Sequence, residues 1–231
     1  MLVLDLRMDW HFTLSTYLGG SLLGFILRFR DERYLRRDFI QARLLTLDNA
    51  RIQSMADELE RLSFLDGLTG LANRRYFDRS YEKAWRSCLR DKAPLTVLML
   101  DVDFFKPYND HYGHQQGDQA LRDIARAISS EAARPQDLVA RYGGEEFIVM
   151  LPWADEAAAA HMAERLLQAV RDLALPHAAS SCGDVVTISA GVMTVIPEQY
   201  LAMEKLISAA DNALYQAKRD GRNCWRRALP I

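Results

Sequence analysis

Residues 138–151 read LVARYGGEEFIVML, two apolar runs on either side of a turn at 142–145. Paired glycines between two apolar runs are typical of a β-hairpin. The pattern predicts strands over Leu138–Arg141 and Phe147–Leu151. We expect Gly143 and Gly144 to adopt positive φ and to let the backbone approach a ligand closely. The acids Glu145 and Glu146 follow at once, a concentration of charge that is costly unless a cation neutralises it.

The segments around the hairpin alternate between strand and helix patterns. The near-continuous apolar run Leu95–Asp101 (LTVLMLD) predicts a buried strand, and Val185–Val195 predicts another. Helical spacing covers Asp118–Ala132, Ala154–Leu173 and Leu206–Arg219. The resulting order β-α-β-β-α-β predicts an α/β (α+β) fold of the ferredoxin-like kind, a central antiparallel or mixed sheet with helices packed on one face. Residues 174–184 (ALPHAASSCGD) are predicted to be a surface loop, with His177 on the surface.

Composition places the chain among ordinary globular proteins. It has 231 residues, a formal net charge of −2, 49% hydrophobic and 26% charged residues. This usage argues against disorder, and there is no basic excess for a nucleic-acid polymer as partner. The three cysteines are far apart and odd in number, which favours a reducing compartment.

The first 30 residues differ from the rest. The stretch Trp10–Leu27 contains no Asp, Glu, Lys or Arg, and as a helix it would span roughly 27 Å, just under a hydrocarbon core of about 30 Å. The basic excess that follows predicts inner-membrane anchoring by residues of about 10–28, with the C-terminal side in the cytoplasm. A buried or dimer-packed soluble helix, or the last helix of a longer membrane module, remains open.

A charged segment, residues 31–64, follows without proline or glycine. Apolar or a/d-type positions recur every seven residues, at Leu45, Ile52 and Leu59 and, offset by three, at Asp48, Met55 and Leu62. This spacing predicts a short coiled coil that pairs two chains. A single helix packed on its own domain is the alternative. Residues 65–231 then form the third segment.

Oxygen ligands follow the buried strand that ends at Asp101. Asp101 and Asp103 are expected to point to the same side of an extended segment, and carboxylates of this kind suit Mg²⁺. The alternative is that these residues form a polar turn that binds no ion.

Several motifs together resemble the GGDEF family of diguanylate cyclases, in a Gly-Gly-Glu-Glu-Phe form. They are the hairpin, the turn Asp66–Arg75 (DGLTGLANRR), the strand-loop-helix 101–118, the stretch Ser189–Val192 and the segment 213–223. The match runs in the family's order over about 165 residues, which excludes chance. The resemblance implies a domain over 65–231 that, as a homodimer, condenses two GTP into cyclic di-GMP and releases two pyrophosphates.

The resemblance also implies roles for individual residues. Two Mg²⁺ ions per site, replaceable by Mn²⁺, would be held by Asp101, the Val102 carbonyl and Glu145. GTP would be bound by Phe104, Phe105, Lys106, Asn109, His114, Asp118, Gly143, Gly144, Lys218 and Arg222. Asn109 and Asp118 would recognise guanine, while Lys106, Lys218 and Arg222 would bind the phosphates. Glu146 is the candidate for assisting deprotonation of the attacking hydroxyl.

Upstream of the hairpin, Arg134-Pro135-Gln136-Asp137 matches the family's RxxD site for product feedback inhibition, with Arg165 where the family often adds a second arginine. A surface Arg and Asp at a strand entry is the alternative reading. Three other functions remain open: a catalytically silent receptor of cyclic di-GMP, a cyclase with a mixed purine product, and a membrane-anchored dimerisation scaffold.

Overall fold

The structure is a computed structural model that describes residues 14–25, 28, 43–49, 51–53, 55 and 64–229. It consists of two compact units, Met1–Glu60 and Arg61–Ile231. The three-segment division at residues 30 and 64 stays a prediction.

The described residues of the first unit are α-helical. Within these ranges no helix combines the length and the apolar content that crossing a bilayer requires. Residues 10–13, 26 and 27 of the predicted anchor lie outside the described residues, as do heptad positions Leu59 and Leu62. The heptad positions Leu45, Asp48, Ile52 and Met55 are helical and exposed. Anchoring and coiled-coil pairing therefore stay predictions.

Strands and helices alternate through the second unit. In chain order they are β1 (Ala72–Asn73), α1 (Arg74–Asp91), β2 (Leu95–Val102), α2 (Phe105–Tyr112), α3 (His114–Glu131), β3 (Leu138–Arg141), β4 (Glu146–Pro152), α4 (Glu156–Asp172), β5 (Ile188–Val195), α5 (Glu204–Arg219) and β6 (Trp225–Arg227). The strands form one mixed sheet in the order β1-β3-β4-β2-β5-β6. The inner pairs are antiparallel, and the edge strands β1 and β6 each pair in parallel with a neighbour. The predicted α/β class and the β-α-β-β-α-β order are confirmed.

Helices cover both faces of the sheet, so the prediction of helices on one face only is wrong. Successive residues of a strand point to opposite faces. Leu98 and Leu100 of β2 accordingly join a core with α3 and α4, while Val97 and Met99 join a second core with α1 and α5. Strand β2 is buried along its whole length because both of its faces are covered.

Helix α1 is the longest of the elements that the sequence pattern missed; the others are α2 and the edge strands β1 and β6. Its buried residues Phe77, Tyr81, Trp85 and Cys88 follow the spacing of one helical face. The helix begins where the Asn73 side chain accepts a hydrogen bond from the Tyr76 amide, a standard N-cap. The signal was therefore present, but dense charged residues between the apolar positions obscured it.

Strand β5 lies directly against α5. A Cβ placed on Gly191 would stand 2.0 Å from the Ala210 carbonyl oxygen and 2.2 Å from the Leu214 amide nitrogen. Only glycine permits this approach. The contact sets the distance between the sheet and the helix that carries Lys218.

Candidate active site

Two neighbouring strands, β2 and β4, bring acidic residues to one edge of the sheet. Asp101, near the end of β2, pairs in register with Glu146 of β4 and with Ser189 of β5. Glu145 immediately precedes Glu146, and its carbonyl accepts a hydrogen bond from the Val102 amide at 3.3 Å. The side chains expected to hold a metal therefore converge here. The long-range pairing of β2 with β4 produces this convergence.

The Asp101 carboxyl has an unusual environment. It is buried, with only 8% of the residue exposed. Burial raises its pKa from the ordinary 3.8 to about 6; the Lys218 ammonium, 2.8 Å from Oδ2, lowers the pKa, and the charges of Glu145 and Glu146 raise it. Ionising Asp101 is thus unfavourable while Lys218 alone compensates it.

This donor set fits a hard divalent cation. Concentrated and partly desolvated negative charge is what such an ion offsets, and carboxylate and carbonyl oxygens are its preferred ligands. Among the described residues, no group of three or more His, Cys, Asp or Glu side chains is close enough to hold an ion by itself. Two carboxylates and the Val102 carbonyl leave room for water and phosphate oxygens, as Mg²⁺ normally requires.

The chain turns sharply just beyond β2. Phe104 has left-handed backbone angles, φ 54° and ψ 33°, and α2 begins at the next residue. The Arg222 guanidinium lies 4.2 Å above the centre of the Phe104 ring, a cation–π contact. Lys106 is exposed in the first turn of α2. Of the predicted phosphate-binding residues, Lys218 thus contacts Asp101, Arg222 contacts Phe104, and Phe105 and Lys106 follow Phe104 directly in the chain.

An unpaired polar atom marks the predicted guanine pocket. Asn109 Oδ1 is buried and has no hydrogen-bond partner among the described residues. A Cβ on Gly117 would come within 1.8 Å of it, so glycine at that position leaves the space that Asn109 occupies. Asp118 and His114 are exposed on the first turns of α3. The orphaned amide oxygen fits a ligand that donates N–H groups, as guanine does.

The hairpin differs in one respect from the prediction. Neither Gly143 nor Gly144 has a positive φ, so the expected left-handed conformation is wrong. A Cβ at position 143 would stand 2.7 Å from Glu146 Oε2, the end of a flexible side chain that can move aside. The predicted close approach of this backbone to a ligand stays a prediction.

Arg141 fastens the hairpin to the start of the domain, a role that sequence reasoning missed. Its guanidinium donates to the Gly144 carbonyl at 2.7 and 3.0 Å and to the Asp66 carboxylate at 3.0 and 3.2 Å. Burial alone would raise the pKa of Asp66, but hydrogen bonds from Thr69 and Arg141 lower it below its usual value. The turn at 66–75 thereby supports the loop that carries Glu145.

Asp103 does not join Asp101 at the cation site. Its carboxylate is buried and accepts hydrogen bonds from Thr187 Oγ1 at 2.8 Å, Ser189 Oγ at 2.6 Å and the Asn223 amide at 3.0 Å. Because Ser189 pairs in register with Asp101 and its hydroxyl donates to Asp103, the two acids lie on the same face, as their spacing predicted. Asp103 nevertheless serves a structural contact, since it ties β5 to the loop after α5.

The residues predicted for feedback inhibition lie before β3 and on α4. The Asp137 amide donates to the Arg134 carbonyl at 3.0 Å, and Arg134 itself is exposed. Asp137 Oδ1 is buried and unpartnered within residues 64–229, and burial raises the pKa of this carboxyl. Arg165 forms an ion pair with Glu131, its Nε 2.6 Å from Oε2. The roles of all three residues stay predictions.

His177 is another functional candidate that sequence reasoning misplaced. Only 1% of it is exposed, and its Nε2 lies 3.1 Å from the Phe104 carbonyl oxygen. The prediction of a surface residue is wrong, because the loop 174–184 folds back onto α2. A lone histidine in a polar, glycine-containing segment carries no signal of burial.

Taken together, the acidic strand edge, the left-handed turn beside Arg222 and the orphaned amide oxygen of Asn109 form a candidate site for a nucleotide and a divalent cation. A family model described as "Diguanylate cyclase, GGDEF domain" matches residues 63–224. The chain belongs to this family, as its motifs predicted.

Relatives and solved structures agree with this assignment. DosC of Escherichia coli (strain K12), a diguanylate cyclase, is 38% identical over 168 residues, which cover 71% of this chain and 36% of DosC. YtrP of Bacillus subtilis (strain 168) is 35% identical over 213 residues, 89% of this chain and 34% of YtrP. The chain thus spans about a third of the length of these curated relatives.

The coiled coil and GGDEF domain of DgcB from Caulobacter crescentus, solved in complex with c-di-GMP, is similar at a TM-score of 0.68 and 33% identity, over 82% of this chain and 99% of that one. An active GGEEF domain of a diguanylate cyclase from Vibrio cholerae is similar at a TM-score of 0.60 and 30% identity, over 70% of this chain and 99% of that one.

Proposed function

We propose that this chain is a diguanylate cyclase that converts two GTP into cyclic di-GMP and two pyrophosphates. The observation that carries the proposal is the buried Asp101 carboxyl, placed beside the hairpin acids and Lys218. Such an arrangement is unfavourable by itself and becomes favourable when a cation and phosphates complete it. Family membership, the description of DosC as a diguanylate cyclase and the c-di-GMP bound in the DgcB structure support the same reaction.

Each half-reaction joins one GTP to the other. The 3′-hydroxyl of one GTP attacks the α-phosphorus of the second, a new P–O bond forms, and the bond to pyrophosphate breaks. Glu146 is the proposed acceptor of the hydroxyl proton. Lys106, Lys218 and Arg222 hold the phosphates, and Asn109 and Asp118 hold guanine. Asp101, Glu145 and the Val102 carbonyl would bind Mg²⁺ or Mn²⁺, which supplies positive charge to the phosphate oxygens.

Two copies must face each other, since each domain offers one such site and the product contains two guanosines. We propose that the segment 31–64 pairs the chains as a coiled coil and that the domain works in the cytoplasm, where GTP is available. Anchoring by residues 10–28 is compatible with this arrangement. A structure of DgcB that includes both a coiled coil and a GGDEF domain supports it.

Product inhibition is proposed at Arg134, Asp137 and Arg165. Arg134 and Arg165 offer guanidinium groups to phosphate and guanine edges, and the orphaned Asp137 Oδ1 accepts from guanine N–H. Arg165 must exchange its bond to Glu131 for the ligand. Substitution Arg134→Ala should therefore leave the initial rate unchanged and raise the final yield of product.

The test is product analysis of the purified chain with GTP and Mg²⁺. We expect cyclic di-GMP from the parent and a loss on the order of a hundredfold or more in Asp101→Ala and Glu145→Ala. Asp110→Ala is the matched control, because Asp110 is an exposed acid of α2 without an assigned role. A parent that makes no product yet binds cyclic di-GMP would overturn the proposal in favour of a silent receptor. Consumption of ATP would indicate a mixed product.

A further inference from the structure

The loop 174–184 is packed against the segment that the proposed function assigns to phosphate binding. His177 is buried, and its amide donates to the Asp184 carbonyl at 2.8 Å, which closes the loop on itself. Its ring meets that of Tyr108 edge to face, with centroids 5.1 Å apart. The next amide, that of Ala178, donates to the Tyr112 hydroxyl at 3.0 Å. The loop therefore contacts α2 at two successive turns, at Tyr108 and at Tyr112.

The contact with Phe104 fixes a peptide orientation. The Phe104 carbonyl accepts from the Tyr108 amide at 3.0 Å and lies 3.1 Å from His177 Nε2. A carbonyl can only accept, so Nε2 carries the hydrogen and donates it. The opposite ring nitrogen, Nδ1, is buried without a hydrogen-bond partner in the described part of the chain, which agrees with this tautomer.

The same contact determines where the following amide points. Phe104 has a left-handed conformation that non-glycine residues adopt only when their surroundings hold them there. In a trans peptide the C=O and the next N–H point in opposite directions. With the Phe104 carbonyl directed at His177, the Phe105 amide must point away from the loop, toward the open side of the turn.

We propose that His177 is a positioning residue for phosphate binding, which aims the Phe105 amide by holding the Phe104 carbonyl. The inference rests on the proposed function, because it assigns the target of that amide as a GTP phosphate. Loss of the His177 hydrogen bond should therefore weaken the binding of guanine nucleotides that carry phosphates and leave the binding of guanosine unchanged.

Two substitutions separate the hydrogen bond from the packing. His177→Phe keeps an aromatic ring against Tyr108 but removes the donor. His177→Gln removes the ring and supplies an amide N–H of similar reach. Tyr112→Phe is the control, since it deletes the neighbouring contact between the same loop and α2 without touching the Phe104 carbonyl.

The experiment measures displacement of a fluorescent GTP analogue by GTPαS and by guanosine, on the full chain with Mg²⁺, together with melting temperatures. We expect His177→Phe to weaken GTPαS binding about five- to tenfold, the equivalent of one hydrogen bond, with guanosine binding unchanged. His177→Gln should bind GTPαS as the parent does, and so should Tyr112→Phe.

Each variant can overturn the proposal by itself if the other fails to fold. Equal loss of GTPαS and guanosine affinity in His177→Phe, or parent-like GTPαS binding there, overturns the proposal. A phosphate-selective loss in folded His177→Gln overturns it as well. Failure of the proposed function gives a different result. A parent that binds GTPαS but makes no cyclic di-GMP would refute the cyclase activity, and the effect of His177 on GTPαS binding could still be measured.

Discussion

Replacing Asp101 with asparagine should stabilise the metal-free protein above neutral pH while removing its activity. The change keeps the shape of the side chain and removes its charge. In the folded chain the pKa of Asp101 is about 6, against an ordinary value of 3.8, chiefly because the group is buried. Since a pKa unit corresponds to about 1.4 kcal/mol, the ionised carboxylate lowers the free energy of unfolding by about 3 kcal/mol.

The sign follows from proton binding. Between the two pKa values the folded state binds more protons than the unfolded state, so stability is greatest below pH 3.8 and falls as the pH rises through about 6. About 1.4 kcal/mol of the decrease lies between pH 5 and 7.5. Asp101→Asn has no carboxyl at this position to titrate, so it lacks this decrease in stability. It also loses the 2.8 Å contact between Lys218 and the carboxylate.

The assay is urea unfolding in EDTA at both pH values, for the parent and for Asp101→Asn. The difference between the two proteins should widen toward pH 7.5 in favour of the variant. Mg²⁺ should then raise the stability of the parent and leave the variant unchanged, because a ligand of the folded state stabilises it. Parallel pH dependence of the two proteins in EDTA would refute the reasoning about burial, whatever the activity of the variant.

Three further substitutions test other contacts. Arg141→Ala removes the bonds to Asp66 and to the Gly144 carbonyl and should lower the free energy of unfolding by about 2 kcal/mol. The control Arg126→Ala breaks an exposed pair with Asp123 and should change this free energy by under about 1 kcal/mol. Equal effects of the two substitutions in urea unfolding would contradict a stabilising role for Arg141. Gly117→Ala places a Cβ against Asn109 Oδ1 and should weaken GTP binding about tenfold or more, the scale of a lost bidentate guanine contact. The control in the same titration is Gly67→Ala, because a Cβ at Gly67 meets nothing within 4 Å. Equal GTP affinities of the two variants would show that Asn109 does not bind guanine. Gly191→Ala forces β5 and α5 apart and should lower the free energy of unfolding by about 3 kcal/mol, measured by heat or urea. A stability equal to the parent's would show that β5 and α5 are less closely packed than the 2.0 Å between a Cβ at position 191 and the Ala210 carbonyl oxygen implies.

Short-range signals account for most of what the sequence could predict. The hairpin before Glu145, the buried strand ending at Asp101 and the helices α4 and α5 each have a local pattern, and each lies within a few residues of its expected place. Their order was sufficient to predict the four inner strands of the sheet. The placement of Asp101 opposite Glu146 then follows from pairing two adjacent antiparallel strands.

Long-range contacts account for most of the errors. The burial of His177 depends on how the loop 174–184 closes over α2, which no period of hydrophobicity describes. The tether between Arg141 and Asp66 joins residues 75 positions apart. Helix α1 is the exception, since the spacing of Phe77, Tyr81 and Trp85 along one face is a local signal, and a closer count of it would have predicted the helix.

Asp101 and Asp103 show why residue type and spacing alone do not assign a function. Both acids follow the same strand, and both are buried. Asp103 accepts hydrogen bonds from two hydroxyls and one amide, so its charge is already compensated and nothing remains for it to bind. Asp101 has a single cation at 2.8 Å and two acids that oppose its ionisation. A buried charge left incompletely compensated destabilises the fold, and a protein retains it where a ligand completes the compensation. The two carboxylates therefore differ in their partners, since Asp103 has three hydrogen-bond donors, from Thr187, Ser189 and Asn223, whereas Asp101 has Lys218 alone.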